Sequence, residues 1–536
     1  MHPTIHATFA EAARAWPDHA CMAVLEETAE LYGISAGEIT YAAAAMAIGR
    51  LTDAYRAAGY GIGHRVGLLL ENRPDFILHW FALNGLGAAV VPINPDLRAA
   101  ELEYLVTHSE IVLAVAIPAR QASLRDAAAA RGADLAVIGP DAPPPPAARP
   151  ATVQAGEMGS EAALLYTSGT TGLPKGCIVS NFWFLRCGQW YLEMGGLCAL
   201  RPGAERMLTP LPLFHMNAMA CSVLAMVMSG GCLIVLDRFH PRSWWHSVIA
   251  ARATIIHYLG VMPAILMAAP PAPEERAHAV RFGFGAGIDR RLHAPAEARF
   301  GFPLIEGWAM TETGAAATIQ DNIEPRRIGE SCIGTPRDYV QVRIEAEGGR
   351  EAETDEPGEL LVRASGPDPR AGFFTAYLKD AAATAAAWEC GWFHTGDVVR
   401  CAADGRLFFV DRKKNVIRRS GENISALEVE GVLQQHPLVR AAAVGALADD
   451  VRGEEVFACI VLAGPVATPG EAARQLVAWC MERLAYYKAP GHVCFIDALP
   501  LTTTNKIQRG EMRKLIERLA ADPGCIDTRT LKRRTA

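Results

Sequence analysis

Short apolar runs alternate with amphipathic segments through the first part of the chain. Residues 65–70 and 88–93 are almost entirely apolar, and runs of this length predict strands buried on both faces of a sheet. Between them, residues 74–84 carry large apolar side chains at helical spacing, and a helix and a strand follow over 97–108 and 111–116. This alternation predicts an α/β fold class, with a large N-terminal domain of mainly parallel sheets flanked by helices.

The last third of the chain has a different pattern, in which short strands are separated by single helices. Strands are predicted over 441–444, 456–462 and 493–496, and a helix is predicted over 471–484. These elements predict a small α+β domain at the C-terminal end of the sequence.

The stretch 218–236 is uncharged and long enough to suggest a membrane span. However, Gly230 and Gly231 divide it into a Met/Ala/Leu-rich helix and a Leu-Ile-Val strand that ends at Asp237. We therefore expect a buried helix and strand here, and no membrane span. The first residues also lack the basic-then-apolar pattern of a signal peptide.

Composition excludes several classes of protein. Of the 536 residues, 51% are hydrophobic and 20% are charged, which is ordinary for a globular enzyme and argues against disorder. A net charge of −7 and a pI near 6.1 argue against a nucleic-acid partner. Two basic clusters, 412–419 and 532–534, are typical of solvated surface, and for 532–534 we predict no other role.

Cysteine usage indicates the compartment. The chain has 13 cysteines, an odd number, and no two of them are spaced as Cys-x-x-Cys. This pattern fits neither a disulfide scaffold nor a zinc ribbon. We therefore predict a reducing environment and a cytoplasmic protein.

A loop of hydroxyl and glycine residues follows the apolar strand 162–166. Its glycines give it conformational freedom, its backbone N–H groups and hydroxyls can bind an anion together, and Lys175 adds a positive charge. The spacing is not that of a Walker A loop. Composition alone would indicate an ordinary surface turn, but the ordered run is more specific. The anion-binding candidates are Thr167, Ser168, Gly169, Thr170, Thr171 and Gly172.

The ordered run Thr-Ser-Gly-Thr-Thr-Gly-Leu-Pro-Lys-Gly, residues 167–176, resembles a motif of the adenylate-forming superfamily. That superfamily contains acyl-CoA synthetases, firefly luciferase and peptide-synthetase adenylation domains. The resemblance continues in order from Arg65 to Lys506. It implies that the loop holds the triphosphate of ATP. It also implies an ATP- and acid-binding domain over 1–411 and a small mobile cap domain over 412–536.

The segment 211–217, Leu-Pro-Leu-Phe-His-Met-Asn, contains a histidine that could simply be structural. In the superfamily an aromatic–histidine pair here closes the acyl pocket, so the resemblance implies that role for Phe214 and His215. Amino-acid-activating members usually carry an Asp at this place. Its absence from 211–217 favours a simple organic acid, and Tyr258 is a further candidate for the pocket.

A glycine-rich turn at 283–287 lets a flat ligand approach the backbone closely, although a tight strand-to-helix turn has the same composition. The resemblance implies contact with adenine. The candidates are Gly285, Ala286 and Gly287.

The motif 306–312 departs from the family pattern at two places, with Trp308 for the usual Tyr and Ala309 for Gly. Trp can still stack on adenine, and the added methyl of Ala309 would shorten the acyl pocket. The resemblance implies that Glu306 accepts a hydrogen bond from the adenine amino group and that Thr311 contacts phosphate. It implies that Glu312 binds Mg²⁺, which prefers hard oxygen ligands.

The remaining motifs would by themselves be ordinary turns and a solvated basic segment. The resemblance implies that Asp397 and Arg412 contact the ribose and that Lys414 is the hinge residue. It also implies that Gly421 lines the pantetheine tunnel, that the ring of Tyr487 lies near the CoA nucleotide, and that Lys506 is the catalytic lysine. Asn505 precedes the lysine where the family usually has Gly.

These parts predict an ATP-dependent ligase that joins a carboxylic acid to coenzyme A through an acyl-adenylate, with Mg²⁺, releasing AMP and pyrophosphate. The nearest resemblance is to the carnitine/crotonobetaine–CoA ligase branch, which suggests a small or medium acid, betaine-like or aryl. Transfer to a separate carrier protein and a non-catalytic nucleotide sensor are the alternatives. The sequence leaves the acid, the pathway and homodimer formation open. The candidate catalytic residues are Lys175, His215, Thr311, Glu312 and Lys506.

Overall fold

The structure is a computed structural model that describes residues 2–167, 173–346, 348–412, 416–500 and 509–532. Its strands in chain order are β1 (Ala20–Val24), β2 (Gly37–Thr40), β3 (Arg65–Leu69), β4 (Ala89–Pro92), β5 (Leu113–Ala116), β6 (Ala136–Ile138), β7 (Glu161–Thr167), β8 (Lys175–Ser180), β9 (Arg206–Thr209), β10 (Cys232–Val235), β11 (Ile255–Leu259), β12 (Phe282–Ala286), β13 (Leu304–Trp308), β14 (Ile319–Gln320), β15 (Cys332–Gly334), β16 (Val340–Glu345), β17 (Gly358–Ala364), β18 (Ala376–Tyr377), β19 (Trp388–Glu389), β20 (Trp392–Cys401), β21 (Leu407–Arg412), β22 (Val416–Arg419), β23 (Glu422–Ser425), β24 (Val439–Asp449), β25 (Gly453–Leu462), β26 (His492–Phe495) and β27 (Ile526–Asp527).

The α-helices are α1 (Ile5–Ala15), α2 (Glu26–Tyr32), α3 (Tyr41–Ala57), α4 (Pro74–Gly85), α5 (Ala99–Ser109), α6 (Pro118–Ala130), α7 (Asn181–Glu193), α8 (Val223–Ser229), α9 (Trp244–Ala250), α10 (Val261–Ala268), α11 (Arg290–Phe300), α12 (Ala381–Ala387), α13 (Ala426–Gln434), α14 (Pro469–Arg483) and α15 (Arg509–Leu519).

Two large sheets confirm the predicted α/β class. One has the strand order β18-β8-β7-β4-β3-β5-β6, and the other has the order β14-β13-β12-β11-β9-β10-β1-β2. Neighbours such as β3 and β4 or β11 and β12 are parallel, whereas the edge strands β2, β14 and β18 pair antiparallel. The sheets are therefore mainly parallel, as the helix–strand alternation predicts.

Local sequence explains where α4 begins and ends. Pro74 stands in the first turn, where its missing N–H costs nothing, and Trp80 and Phe81 are fully buried on the helix. After the helix, Gly87 adopts a left-handed φ of 76°, and β4 follows. The observed bounds of β3, α4, β4, α5 and β5 differ from the predicted ones by a few residues at most.

The uncharged stretch 218–236 folds as predicted. A π-helical turn, Asn217–Ser222, runs into α8, Gly230 closes that helix with a left-handed φ of 70°, and β10 follows. Among the described residues, every helix is too short or too polar to cross a bilayer.

A third sheet was not predicted. Residues 332–412 form an antiparallel sheet with the order β15-β21-β20-β17-β16, to which β19 adds at β20. The segment Gly396-Asp397, which resembles a simple turn in sequence, lies inside the strand β20. These strands pair with residues that are distant in the sequence, so local sequence patterns do not predict the sheet.

The chain divides into two compact units. The first comprises residues 1–95, 106–165 and 176–411, and the second comprises 96–105, 166–175 and 412–536. Within the second unit, β22 to β27 form one sheet, and α13 and α14 pack beside it over a core that includes Val429, Leu476 and Val477. The predicted strands and helix of the small α+β domain are all present as β24, β25, α14 and β26.

One surface prediction is wrong. The basic segment 532–534 was expected to be solvated, but the side chain of Lys532 is 0% exposed and its Nζ lies 2.6 Å from Glu455 Oε1. A buried carboxylate partner compensates the ammonium for the water it has lost. Residues 533 and 534 lie outside the described part of the chain.

All 13 cysteines are free thiols. Ten of them are buried, Cys401 and Cys525 are half-buried, and Cys390 is exposed in the short turn between β19 and β20. The turn gives Cys390 a left-handed φ of 50°.

Candidate active site

The carboxyl ends of β11, β12 and β13 form one edge of the eight-stranded sheet, within the first unit. Tyr258 lies opposite Gly285 in the β11–β12 register, and a Cβ on Gly285 would collide with the Tyr258 carbonyl and ring. Gly287 follows with a left-handed φ of 77° and open space where its Cβ would be. Gly260 is also required, because any Cβ there would overlap the Gly287 carbonyl. Glycine at 285 therefore serves packing, and the open side of the turn is at Gly287.

The side chain of Glu306 holds the backbone of this turn through hydrogen bonds. Its Oε1 accepts hydrogen bonds from the N–H groups of Gly287 and Ile288, at 2.9 and 3.1 Å. Its Oε2 lies 4.0 Å from His293 Nδ1, and burial raises the pKa of Glu306. The carboxylate thus holds the backbone of the turn, and its contact with adenine stays a prediction.

Two of the predicted site residues contact each other directly. The indole Nε1 of Trp308 donates a hydrogen bond of 2.8 Å to Asp397 Oδ2. Both residues are nearly buried, at 5% and 2% exposure. The structure therefore brings the ends of β13 and the middle of β20 together, and the tryptophan in place of the family's usual tyrosine fixes one carboxylate oxygen of the residue expected to bind ribose.

We expect the Trp308→Phe variant to raise the KM for ATP about tenfold. Phe keeps an aromatic ring but removes the donor to the Asp397 carboxylate, and a hydrogen bond to a charged group contributes about 1.5–3 kcal/mol. Acid-dependent ATP–pyrophosphate exchange at varied ATP measures the effect. The matched control is Trp244→Phe, because the buried indole nitrogen of Trp244 has no hydrogen-bond partner within the described ranges. Equal KM values for the two variants would contradict the role of the indole.

Glu359 supports the segment that carries Asp397. Its Oε1 accepts from the N–H of Gly396 at 3.1 Å, and its Oε2 lies 3.6 Å from His394 Nδ1. Gly396 has a left-handed φ of 70°, and the β17–β20 register shifts nearby, so the strand bulges just before Asp397. Within the described ranges, Glu345, Glu359 and His394 also bring ligand atoms within 4.8 Å of one another. Glu359 and His394 contact each other at the bulge, whereas the Glu345 carboxylate accepts a hydrogen bond from Arg343, at 3.1 Å.

Glu312 is oriented by a residue that the sequence did not single out. The hydroxyl of Tyr377 on β18 donates to Glu312 Oε1 at 2.9 Å, and Glu312 is 7% exposed. Burial, followed by the charge of Glu312, raises the pKa of Tyr377, so the phenol stays a donor. A carboxylate held by a hydroxyl in this way fits a magnesium ligand with its supporting partner. Neighbouring Thr311 is fixed through its carbonyl, which accepts from Trp183 Nε1 at 3.1 Å.

Phe214 and His215 form a half-buried aromatic pair with ring centroids 4.6 Å apart. The preceding segment is anchored by the buried Asn72, which donates to the Leu211 carbonyl and accepts from the Leu213 N–H at 3.1 and 2.8 Å. The pair therefore sits on a fixed backbone.

A buried polar network lies directly after this pair. His257 is fully buried, with Nδ1 at 2.6 Å from Asn217 Oδ1 and 3.0 Å from Ser222 Oγ, and Nε2 at 2.8 Å from the Tyr191 hydroxyl. Burial lowers the pKa of His257 to about 3, so the ring is neutral. With Nδ1–H donating to Asn217, Nε2 accepts from Tyr191. A single histidine in an apolar strand gives no sequence signal of such a network.

We expect the His257→Leu variant to lower the free energy of unfolding at pH 7.5 by about 2–4 kcal/mol, because buried polar partners lose their hydrogen bonds. The folded-state pKa lies below the unfolded value of 6.5, so the contribution of the neutral ring is complete above pH 6.5 and is lost as pH falls towards 3. Urea titrations monitored by tryptophan fluorescence at several pH values should show the gap between wild type and variant narrowing below pH 6.5. A constant gap would contradict the pKa direction.

The remaining predicted site residues differ in how far they are buried. Tyr258 is 1% exposed and donates its hydroxyl to the Ile305 carbonyl at 3.2 Å, and Tyr487 is 5% exposed in the core of the second unit. Both rings are packed against protein, so their ligand roles stay predictions. Ala309 is exposed, and Gly421 has a left-handed φ of 86°. Thr167 ends β7 and Lys175 begins β8.

Several predictions cannot be compared with the structure. Five loop residues, the hinge Lys414 and the catalytic Lys506 lie outside the described residues, as does the side chain of Arg412. The five loop residues are Ser168, Gly169, Thr170, Thr171 and Gly172.

The chain belongs to the AMP-binding enzyme family. The family matches residues 9–369, and the AMP-binding enzyme C-terminal domain matches residues 428–506. This match confirms the resemblance to the adenylate-forming superfamily, and it covers the motifs from the Thr-rich loop to Glu312 in the first part and Lys506 in the second.

The chain is similar to several acid–CoA ligases along almost its whole length. It is 32% identical to sulfoacetate–CoA ligase of Cupriavidus necator, over 94% of this chain and 96% of that protein. It is 30% identical to crotonobetaine/carnitine–CoA ligase of Citrobacter koseri, over 91% and 96%. Among solved structures, an o-succinylbenzoate CoA synthetase double mutant from Bacillus subtilis, bound with a product analogue, matches with a TM-score of 0.81 and 25% identity, over 96% and 98%.

Proposed function

We propose that this enzyme activates a short carboxylic acid that carries a second polar or charged group, and joins it to coenzyme A. Acid–thiol ligation through an acyl-adenylate, with ATP and CoA as substrates, follows from the family and from relatives that span nearly the whole chain. The acid, the metal and the compartment are the proposed parts.

The observation that carries the choice of acid is the polar network behind Phe214 and His215. Asn217 is half-buried, two residues after His215, and its side-chain Oδ1 accepts from His257 Nδ1 at 2.6 Å. An amide fixed in this way can present its NH₂ group to a polar substrate. Tyr258, an aromatic candidate for the pocket, is 1% exposed in the core, so its ring gives no support for an aryl acid.

The named relatives support the same choice. Sulfoacetate and crotonobetaine or carnitine are the acids in their names, and each is a small acid with a fixed charge at its far end. A pocket that hydrogen-bonds a substrate group rejects analogues lacking that group far more strongly than an apolar pocket discriminates by size.

We propose that Mg²⁺ is held by Glu312 together with ATP phosphates. When bound, the ion would neutralise charge on the phosphates during attack by the carboxylate. The chain's own residues orient the reactants: Tyr377 fixes the Glu312 carboxylate, and Trp308 fixes Asp397, which is proposed to accept the ribose hydroxyls. Lys506 is proposed to add positive charge at the α-phosphate. The free thiols support a cytoplasmic location.

A substrate panel tests the acid. Purified enzyme with ATP, Mg²⁺ and CoA is assayed for AMP release and thioester formation with sulfoacetate, crotonobetaine, carnitine, crotonate, benzoate and decanoate. Crotonate is the matched control, since it is crotonobetaine without the ammonium group. We expect kcat/KM for at least one charged acid to exceed that for crotonate about tenfold or more, which corresponds to about 1.4 kcal/mol. A preference for benzoate, decanoate or crotonate would refute the proposed acid class.

A further inference from the structure

The turn that carries Gly421 is a two-residue hairpin connection between β22 and β23. Arg419 and Glu422 are its last paired residues, and Ser420 and Gly421 between them both have left-handed φ values, 50° and 86°. Such a turn suits glycine but is unfavourable for serine by roughly 1–2 kcal/mol, and it persists only where the surroundings hold it. The N–H of Ser420 donates to the Arg452 carbonyl at 2.9 Å.

A buried ionic cluster lies at the base of this turn. Arg419 Nε donates to both oxygens of the Glu455 carboxylate at 2.9 Å, and Lys532 Nζ donates to Glu455 Oε1 at 2.6 Å. The side chains of Glu455 and Lys532 are 0% exposed, and that of Arg419 is 7% exposed. Space for the carboxylate exists only because residue 491 is glycine, since a Cβ there would overlap it.

The segment 526–532 is fastened to the same region along its length. Ile526 and Asp527 pair antiparallel with β26, and Thr528 Oγ1 donates to the Pro490 carbonyl at 2.8 Å. Arg529 then contacts Asp449 Oδ2, at 3.2 Å, at the end of β24. Asp449 Oδ1 accepts from the N–H of Arg452 at 2.8 Å, and the carbonyl of Arg452 accepts from the N–H of Ser420. The segment therefore holds both supports of the Ser420–Gly421 turn.

The charge balance of the cluster argues against a purely stabilising role. Arg419 and Lys532 share one buried carboxylate, that of Glu455. Burial and then the nearby Arg419 lower the pKa of Lys532 to about 7. Despite burial, Lys532 and Arg419 keep the pKa of Glu455 below its ordinary value. A buried ionic cluster of this kind contributes little net stability compared with apolar packing, but it fixes geometry.

We propose that the segment 526–532 is a positioning clamp, which holds the Ser420–Gly421 turn through Glu455 and Asp449 and is required for efficient thioester formation. The inference rests on the proposed function, together with the role that the family resemblance implies for Gly421, which is to line the pantetheine tunnel. Lys532 is a positioning residue, since it acts on the turn through Glu455 and Arg419.

The test combines a measurement of the turn with a measurement of each half-reaction. In full-length Lys532→Met enzyme, hydrogen–deuterium exchange of the peptide covering 416–425 should accelerate about fivefold or more, because opening of the turn becomes easier. Thioester formation from preformed acyl-adenylate and CoA should fall about three- to tenfold, while acid-dependent ATP–pyrophosphate exchange stays within about twofold. Lys532→Arg should restore much of the loss, because it keeps a cation facing Glu455.

The matched control is Lys514→Met, which removes an exposed lysine of the same unit whose partner is Glu511. It should leave the hydrogen–deuterium exchange of residues 416–425 and the rates of both half-reactions unchanged. If Lys532→Met fails to fold, Arg529→Gln provides a milder loosening, since Arg529 is 39% exposed. Unchanged exchange over 416–425 overturns the clamp. Faster exchange with normal thioester formation overturns its role in the reaction. If the wild-type enzyme shows neither half-reaction with any acid, the proposed function fails. Hydrogen–deuterium exchange of residues 416–425 then still shows whether the segment 526–532 holds the turn.

Discussion

Replacing Lys506 with alanine is expected to reduce acid-dependent ATP–pyrophosphate exchange about 10²–10³-fold while leaving the reaction of preformed acyl-adenylate with CoA nearly unchanged. In the first step a carboxylate attacks a phosphate, so two negative groups must approach each other. Removing one charge-stabilising donor from a comparable site costs about this factor. In the second step AMP leaves an already activated acid, and the need for added positive charge at the α-phosphate has passed.

The measurement is made in two separate assays, one with labelled pyrophosphate and one with synthetic acyl-adenylate plus CoA. Lys514→Met is again a suitable control, because it removes a surface lysine from the same unit. Equal losses in both assays would contradict the proposed role of Lys506, and so would an unchanged rate of ATP–pyrophosphate exchange.

Replacing Glu312 with glutamine is expected to reduce adenylation by about 10²–10³-fold, since the neutral amide neither binds Mg²⁺ well nor keeps the charge. Replacing Tyr377 with phenylalanine should have a smaller effect, about tenfold, because it removes only the hydroxyl that orients Glu312 Oε1 at 2.9 Å. Both variants should need more Mg²⁺ for half-maximal pyrophosphate exchange.

The control for this pair is Glu330→Gln, which changes a carboxylate that is 45% exposed on its side chain and contacts Arg327. A Mg²⁺ dependence identical in Glu312→Gln and wild type would refute the metal site. A Tyr377→Phe effect as large as that of Glu312→Gln would indicate that the phenol acts directly on substrate.

The sequence predicts the parallel sheets well, because their strands are continuous apolar runs that can be recognised from local sequence. It also proposes site roles for Asp397 and Glu312, which match ordered motifs, and for Trp308, which stands where the family usually has Tyr. It does not predict that Trp308 and Asp397 share a hydrogen bond of 2.8 Å, since they are distant in sequence. A motif gives the order of residues along the chain, whereas contact depends on how β13 and β20 are placed.

Partners outside motifs are the residues that sequence reasoning misses. Tyr377 and His257 are single polar residues in short strands, and their hydrogen bonds cross from one element to another. Lys532 was expected to be solvated because basic clusters usually are, and only the fold places Glu455 beside it. Such residues are recognised from buried polar atoms that must be satisfied, and not from local pattern.

The distribution of thiols offers a simple route to spectroscopic probes. A maleimide dye needs an accessible sulfur, and Cys390 is the exposed one among the 13, whereas ten are enclosed in the interior. Serine at positions 401 and 525 would remove the two half-buried competitors without touching the interior. A fluorophore could then be attached to the first unit at one defined position, with the rest of the chain left as it is.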